Sequence, residues 1–447
     1  MINNEMPVKI KFCIRHKLKY FFNSKIGQAV WSVFCAIVSI EFVQKLFRRA
    51  LFIDNKKIDG CVVLPKIDDL VDQTIESVLI VMPFYSINAS TSYCNQIAQY
   101  LKNKEYRIIG VVYGDSQIAP DKNIYDEFYQ VVPQHPKYSF IQGNPNDINE
   151  IDEWIGSEII QFTAALKTLR KIDIVIINYV FLTKLFEKFT APTFKVLLTH
   201  DVFAFRNKKI KAAGLTSNCF YFSTDYENEK MGLSRSDVVF SIQSEEKNFF
   251  HKYYGLLNIE VLPFIPPKNY LPLRLSDNEN CCIGYIGSSH HPNVDAILDF
   301  INKFDFSCVS NLFIAGTVCE SIIHLNFPSK VKLLGKTKDL QGFYNDCDII
   351  INPDKLESGL KIKTVEAFSY GKPLICTRVA SIGIDVTSKY HKALTITECI
   401  AYVREVSLDS LLREKLAIES KIVFDRFCSE YSISRIMDKH TASVRES

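Results

Sequence analysis

The sequence predicts an α/β protein of two doubly wound halves, and three observations carry that prediction. Short apolar runs rich in Val and Ile recur along the chain, each bounded by turn residues, as buried parallel strands require. Segments of helical spacing separate these runs, which implies parallel sheets covered on both faces. The alternation stops at Pro263-Phe264-Ile265-Pro266-Pro267, stays polar through Asn280, and then begins again.

Size and composition agree with two halves. The chain has 447 residues, 47% apolar and 23% charged, enough for a large core and against global disorder. Residues 1–50 hold nine Lys/Arg against Glu5 and Glu41, so +7 of charge sits there while the whole chain carries +3. The remainder is net acidic, which argues against a nucleic-acid partner. Thirteen cysteines are scattered without C-x-x-C spacing, and Cys281-Cys282 are adjacent. Cys35, Cys282 and Cys376 lie in apolar runs, where a thiol acts as a small hydrophobe. That usage fits a reducing, cytoplasmic setting and argues against a metal centre.

Taken in order, residues 1–74 read as a basic, partly apolar and helical extension. Its run Ala29–Ile40 spans twelve residues, short of the ~20 that cross a bilayer. Two readings stay open. Residues 1–50 lie on the inner leaflet with Trp31, Phe34, Phe42 and Phe47 inserted, which would make the protein peripheral. Alternatively, the helix packs on the body.

The first domain, 75–268, opens with the strand Ser77–Met82, closed by Pro83. A polar turn at Asn88–Thr91 and a helix over Tyr93–Leu101 follow. Further strands are expected at Ile108–Tyr113, Ile174–Asn178, Phe194–Thr199, Val238–Ser241 and Ile259–Leu262, with a helix over Ser157–Leu169. The second domain, 269–415, has strands at Cys282–Ile286, Leu312–Ala315 and Val331–Leu334 and a helix over Val294–Ile301. The tail, 416–447, belongs to an amphipathic helical segment that packs back on the first domain. Two such halves place a ligand in the cleft, at the carboxyl ends of both sheets.

The densest signal is Asp348–Thr377, DIIINPDKLESGLKIKTVEAFSYGKPLICT. Ile349-Ile350-Ile351 is a buried strand bounded by Asn352-Pro353. Ser358 is the expected N-cap of a helix whose inward face is Val365, Ala367 and Phe368. Gly371 ends the helix, and Pro373 leads into Leu374-Ile375-Cys376. A helix N-terminus carries unpaired N–H groups and partial positive charge, and so suits a phosphate. Lys361 and Lys363 add point charges for a diphosphate, and Glu366, one turn on, can accept two hydrogen bonds from a ribose diol. By pattern alone the plainer reading is a surface helix with solvated charges.

The run SGLKIKTVEAFSYGKPLI resembles the donor-binding motif of retaining family-4 glycosyltransferases, in the variant G-x-K-x-K-x-x-E-A-x-x-x-G-x-P. GYIGSSHHPNVDAILDF resembles the start of the donor domain in the same group, and the likeness covers about Cys282 to Asp385. The resemblance implies the GT-B fold: two Rossmann-like domains facing across a cleft, the first on the acceptor side and the second binding a nucleotide-sugar. It assigns the ribose to Glu366 and the diphosphate to Lys363, with Lys361 as competitor. The commoner motif has an upstream glutamate facing the donor sugar; here Ser358 holds that position and Glu357 lies one residue earlier. Backbone amides at Ser358, Gly359 and Leu360, or Glu357 itself, would replace it. Gly287 and Ser288 begin a small-residue loop able to approach phosphate.

In the first domain, Thr199-His200-Asp201 ends a strand at the cleft. His200 resembles the family's strand-end histidine beside the donor sugar, with Asp201 and Arg206 in support. A histidine that merely caps a loop is the plainer reading. Relatives carry paired glycines where this chain has Asn88-Ala89-Ser90. Gln243-Ser244-Glu245-Glu246 reads best as a capping box, and Asp354 with Glu357 as solvated acids.

The expected activity is therefore retaining hexosyl transfer from a nucleotide-diphosphate-sugar to a glycan or lipid-linked acceptor, in surface polysaccharide biosynthesis. No metal or other cofactor is expected, because the lysines and loop amides would balance the leaving diphosphate and no D-x-D motif ends a strand. Two rivals share the architecture: a nucleotide-sugar epimerase and a non-catalytic partner subunit.

Overall fold

The computed structural model describes residues 75–133, 148–212, 222–273, 281–337 and 339–445. The extension at 1–74, with both readings of it, lies outside the described residues. Among the described residues no helix is long and apolar enough to cross a membrane.

The first lobe runs β1 (Ser77–Tyr85), α1 (Ala89–Asn103), β2 (Arg107–Ser116), β3 (Glu127–Val131), α2 (Ser157–Leu169), β4 (Ile174–Asn178), β5 (Phe194–Leu198), α3 (Arg206–Ala212), α4 (Tyr226–Leu233), β6 (Val238–Ser241), α5 (Ser244–Tyr254) and β7 (Ile259–Val261). The second runs β8 (Cys282–Ile286), α6 (His291–Lys303), β9 (Asn311–Ala315), α7 (Val318–Ile322), β10 (Val331–Gly335), α8 (Leu340–Asp346), β11 (Ile349–Asn352), α9 (Ile362–Ser369), β12 (Leu374–Cys376), α10 (Ile396–Ser407), α11 (Ser410–Glu430) and α12 (Ile433–Arg445).

Each lobe is built on one parallel sheet. The strand orders are β3-β2-β1-β4-β5-β6-β7 and β10-β9-β8-β11-β12. Successive side chains of a strand face opposite layers, and both layers are apolar. In the first lobe Leu79, Val81, Val175 and Ile177 enter one core, while Val78, Ile80, Ile174 and Ile176 enter the other. The second lobe divides Ile349 and Ile351 from Ile350 in the same way. Each fully buried Val, Leu or Ile contributes about 1.5–3 kcal/mol.

The chain then returns to its first lobe. The helix expected over the tail is α11, and it stays on the second lobe, with Val423, Phe424 and Phe427 in the core beneath α9. The return is made by α12, whose Met437 joins the first-lobe core and whose Asp438 and Lys439 pair with Lys104 and Glu260. The carboxyl ends of β4, β5, β8 and β11 supply the residues that meet between the lobes. Every described cysteine is a free thiol, and seven of the nine are buried.

Candidate active site

On the second lobe, β11 ends at Asn352 and the loop to α9 carries the charged groups. Ser358 is not the cap of that helix. The helix begins at Ile362, Lys361 occupies the N-cap position without a side-chain cap, and Ser358 Oγ instead accepts from Lys361 Nζ at 2.8 Å. Gly359 displaces the start: its φ of +28° is a left-handed turn, so the helix cannot begin at Ser358. Lys363, in the first turn, donates to Asn293 Oδ1 at 2.7 Å and Tyr285 Oη at 3.3 Å, and lies 3.4 Å from Asp354 Oδ2. Burial pushes both lysines down from the usual ammonium range, and Asp354 opposes that. Asp354 is buried rather than solvated, and Lys363 and Lys361 hold its carboxyl low against the burial that would raise it. Tyr344 Oη donates to Glu366 Oε2 at 3.0 Å and stacks on Tyr370 at 4.2 Å; burial raises the Glu366 pKa. Leu360 is buried beside Gly383. Glu357 points outward, exposed and 3.3 Å from Arg378, so it does not supply the missing acid to this loop.

On the first lobe, His200 follows β5. Its Nε2 lies 2.5 Å from Asn178 Oδ1 and 3.4 Å from Ser90 Oγ, and its ring stacks on Tyr179 at 4.3 Å. Burial pushes its pKa down to about 3, so the ring is neutral. Asp201 is 2.8 Å from Arg206 Nε at the start of α3. Two buried carboxyls brace this segment. Glu229 accepts from the amides of Phe203 and Ala204 at 2.7 and 2.9 Å and from Tyr254 Oη at 2.7 Å. Glu246 accepts from Thr199 Oγ1 at 2.9 Å and from the Ile242 amide at 3.3 Å. Burial raises Glu229 to about 7 and Glu246 to about 8. No reciprocal capping box forms at α5, because the N-cap Gln243 makes no side-chain cap. Glu246 is drawn into the tertiary contact with Thr199 instead.

The two sets meet. The Gly359 amide donates to Asp201 Oδ1 at 3.3 Å, and a Cβ built on Gly359 would lie 2.2 Å from the His200 carbonyl oxygen. Only a residue without a side chain allows that approach. Arg206 of the first lobe therefore acts electrostatically on Lys361 of the second, and Asp201 partly offsets it. The His290 imidazole is pushed down by desolvation and then by Arg206, Lys361 and Lys363, while Asp354 opposes. Three cations and two engaged carboxylates thus converge beside a neutral histidine. That arrangement holds a polyanion and can balance charge that develops on it.

Two expected amide contributions do not hold, because the Gly359 amide is taken by Asp201 and the Gly287 amide by Ala315. The Gly287 amide donates to Ala315 O at 3.0 Å, extending the β8–β9 pairing, and is not offered to a ligand. The loop is fixed there because Gly316, at φ +94°, packs its Cα against the Gly287 carbonyl. Ser288 accepts from Asn293 Nδ2 at 2.9 Å and so helps hold the side chain that binds Lys363.

Several site residues were not visible in the motifs. Asn293 and Tyr285 bind Lys363 from a different strand and helix. Asn178-Tyr179 ends a strand just as His200 follows one, and that shared strand-end position was the available signal. Tyr179 adopts φ +80°, a conformation that costs a non-glycine residue on the order of 1–3 kcal/mol. Among the described residues, no group of three or more His, Cys, Asp or Glu is arranged to hold a metal ion.

Residues 280–398 match the family described as glycosyl transferases group 1. No curated protein matches the chain in sequence. Among solved structures, sucrose-phosphate synthase from Thermosynechococcus elongatus is similar at a TM-score of 0.61 and 10% identity, covering 82% of this chain and 100% of that one. A TarM mutant from S. aureus, in complex with Fondaparinux, alpha-GlcNAc-glycerol and UDP, is similar at 0.59 and 11%, covering 83% and 100%. WaaG, a glycosyltransferase involved in lipopolysaccharide biosynthesis, is similar at 0.52 and 15%, covering 78% and 95%. At these identities the likeness is one of fold. The chain has the GT-B architecture of those enzymes, and its second lobe, from β8 to the start of α10, carries the match to glycosyl transferases group 1.

Proposed function

We propose that this protein is a retaining glycosyltransferase that moves a hexosyl group from a nucleoside-diphosphate sugar to a glycan or lipid-linked acceptor. The observation that carries the reading is the convergence of Arg206 from one lobe with Lys361 and Lys363 from the other, one helical turn from Glu366. The family match over the second lobe supports it, as does a fold shared with an enzyme crystallised with UDP.

The roles follow from the charges. Glu366, oriented by Tyr344, accepts hydrogen bonds from the ribose diol. Lys361, Lys363 and Arg206 engage the diphosphate. When the bond from the anomeric carbon to the diphosphate oxygen breaks, negative charge grows on the leaving group, and these cations stabilise the transition state more than the ground state. His200 accepts from or donates to a sugar hydroxyl. The Gly359 loop, seated on His200, excludes water that would hydrolyse the donor. Asp201 and Asp354 are each engaged by a cation, which suits charge balance better than the proton shuttling an epimerase requires. A place in surface polysaccharide assembly agrees with what is said of WaaG, and the buried thiols agree with a cytoplasmic setting.

The test is incubation with uridine, guanosine and cytidine diphosphate sugars and a panel of glycan and lipid-linked acceptors. Release of nucleoside diphosphate together with an α-linked product from an α-linked donor is the expected result. Epimerised donor without transfer, or no turnover of any donor, overturns the proposal.

A further inference from the structure

At the end of β4, Asn178 and Tyr179 surround His200, where the lobes meet. Asn178 is 1% exposed, its Nδ2 donates to Ser90 Oγ at 2.9 Å, and its Oδ1 faces His200 Nε2 at 2.5 Å. Tyr179 holds an unfavourable left-handed φ of +80° while its N–H continues the sheet to Leu198 O at 3.0 Å. That backbone turns the ring flat against His200, at 4.3 Å and 26°, and Phe181 stacks on the Tyr179 ring in turn, at 5.1 Å and 22°. Tyr93 meets the imidazole edge-on at 5.7 Å and 89°. A strained residue beside a functional group is a signal for a role, because an ordinary turn would have used glycine.

We infer that Asn178 and Tyr179 are positioning residues that fix His200 as one neutral tautomer, with the proton on Nε2 and Nδ1 offered as an acceptor to a sugar hydroxyl. The inference rests on the transferase reading for the identity of the ligand. An amide oxygen only accepts, so the ring nitrogen facing it must carry the hydrogen. A neutral imidazole has a single N–H, so Nδ1 then holds a lone pair. Stacking from Tyr179 and the edge of Tyr93 prevent the ring from turning over. A sugar that presents a hydroxyl to Nδ1 is bound, and one that lacks it leaves that acceptor unpaired once the ligand covers it.

Long-range nitrogen–proton correlation of the histidine rings in the full, ligand-free chain tests this, with His200→Gln identifying the signal. The expected spectrum shows His200 with its proton on Nε2 between about pH 5 and 8. Asn178→Leu should mix the tautomers and lower kcat about tenfold, the scale of one hydrogen bond, with little change in KM for the nucleotide. Asn178→Asp should make the ring titrate within that pH range, because a carboxylate beside Nε2 favours the imidazolium. Tyr179→Gly keeps the positive-φ backbone while removing the ring that stacks on His200, so it should lose the fixed ring orientation. A wild-type ring carrying its proton on Nδ1, or an Asn178→Leu spectrum unchanged from wild type, overturns the inference. The spectrum needs no substrate. A ring protonated on Nε2 in a protein that transfers no sugar overturns the transferase reading alone, and a ring protonated on Nδ1 in an active transferase overturns the clamp alone.

Discussion

Replacing Lys363 by Met removes one half of a buried ion pair and strands the other half. The Lys363 and Asp354 side chains are 14% and 4% exposed, and their charged atoms are 3.4 Å apart. Asp354 Oδ1 has no hydrogen-bond partner among the described residues, so its carboxylate depends on the cations. Stranding a buried charge costs about 3–5 kcal/mol, and the loose 3.4 Å contact places this case near the lower end. The second lobe should then melt lower by on the order of 10 °C. Lys363→Met is expected to hurt less near pH 4 than near pH 8, because Asp354 without its cation takes up a proton in acid. Adding Asp354→Asn removes the stranded charge, so the double variant should recover most of the lost stability while nucleoside diphosphate binding stays weak. Urea unfolding of the wild type, both single variants (Lys363→Met and Asp354→Asn) and the double variant, with UDP titration of each, is the assay. A Lys363→Met protein as stable as wild type, or a double variant no more stable than the single, refutes the reasoning.

Other expectations concern the lobe contact and the buried acids. Gly359→Ala places a Cβ 2.2 Å from the His200 carbonyl at a positive φ, so the lobes should separate and nucleotide affinity fall more than tenfold, with an increased radius of gyration by X-ray scattering. Tyr344→Phe removes the 3.0 Å bond to Glu366 and should weaken UDP binding about two- to tenfold while leaving pyrophosphate binding unchanged, as read by calorimetry. Glu246 is raised to about 8, so the folded chain keeps a proton that the unfolded chain loses near pH 4.5. Stability from this group is complete below that lower value and is lost as pH rises toward 8, by about 1.4 kcal/mol per unit at most. Glu246→Gln should flatten the fall in melting temperature across that window, and an unchanged slope would count against the burial account.

The sheets were legible because their strands are buried on both faces and read as unbroken apolar runs. β3 was not, since Glu127 and Gln130 interrupt it at the sheet edge; Glu127 is there to pair with Arg170 at 2.6 Å. α1 starts at Ala89 rather than Tyr93 because Asn88 caps it, a signal that reads equally as a polar turn. The motif lysines and Glu366 were legible as a set, but their partners were not. Asn293, Tyr285 and Tyr344 come from other elements, and the Gly359–Asp201 bond joins residues 158 apart. Spacing along a chain reports which residues share a helix face. It does not report which strand ends the two sheets bring together, and so Glu246 read as a local cap although its contact is tertiary.

A diphosphate held between cations of both lobes is the centre of the proposed site. Calorimetric titration of the wild-type protein and of Arg206→Gln with nucleoside diphosphates measures that most directly, because Arg206 belongs to the lobe that lacks the motif. Binding in the wild type, with at least tenfold loss in Arg206→Gln, is the predicted result. A wild-type protein that binds none of them, or an Arg206→Gln protein that binds as tightly as wild type, would contradict it.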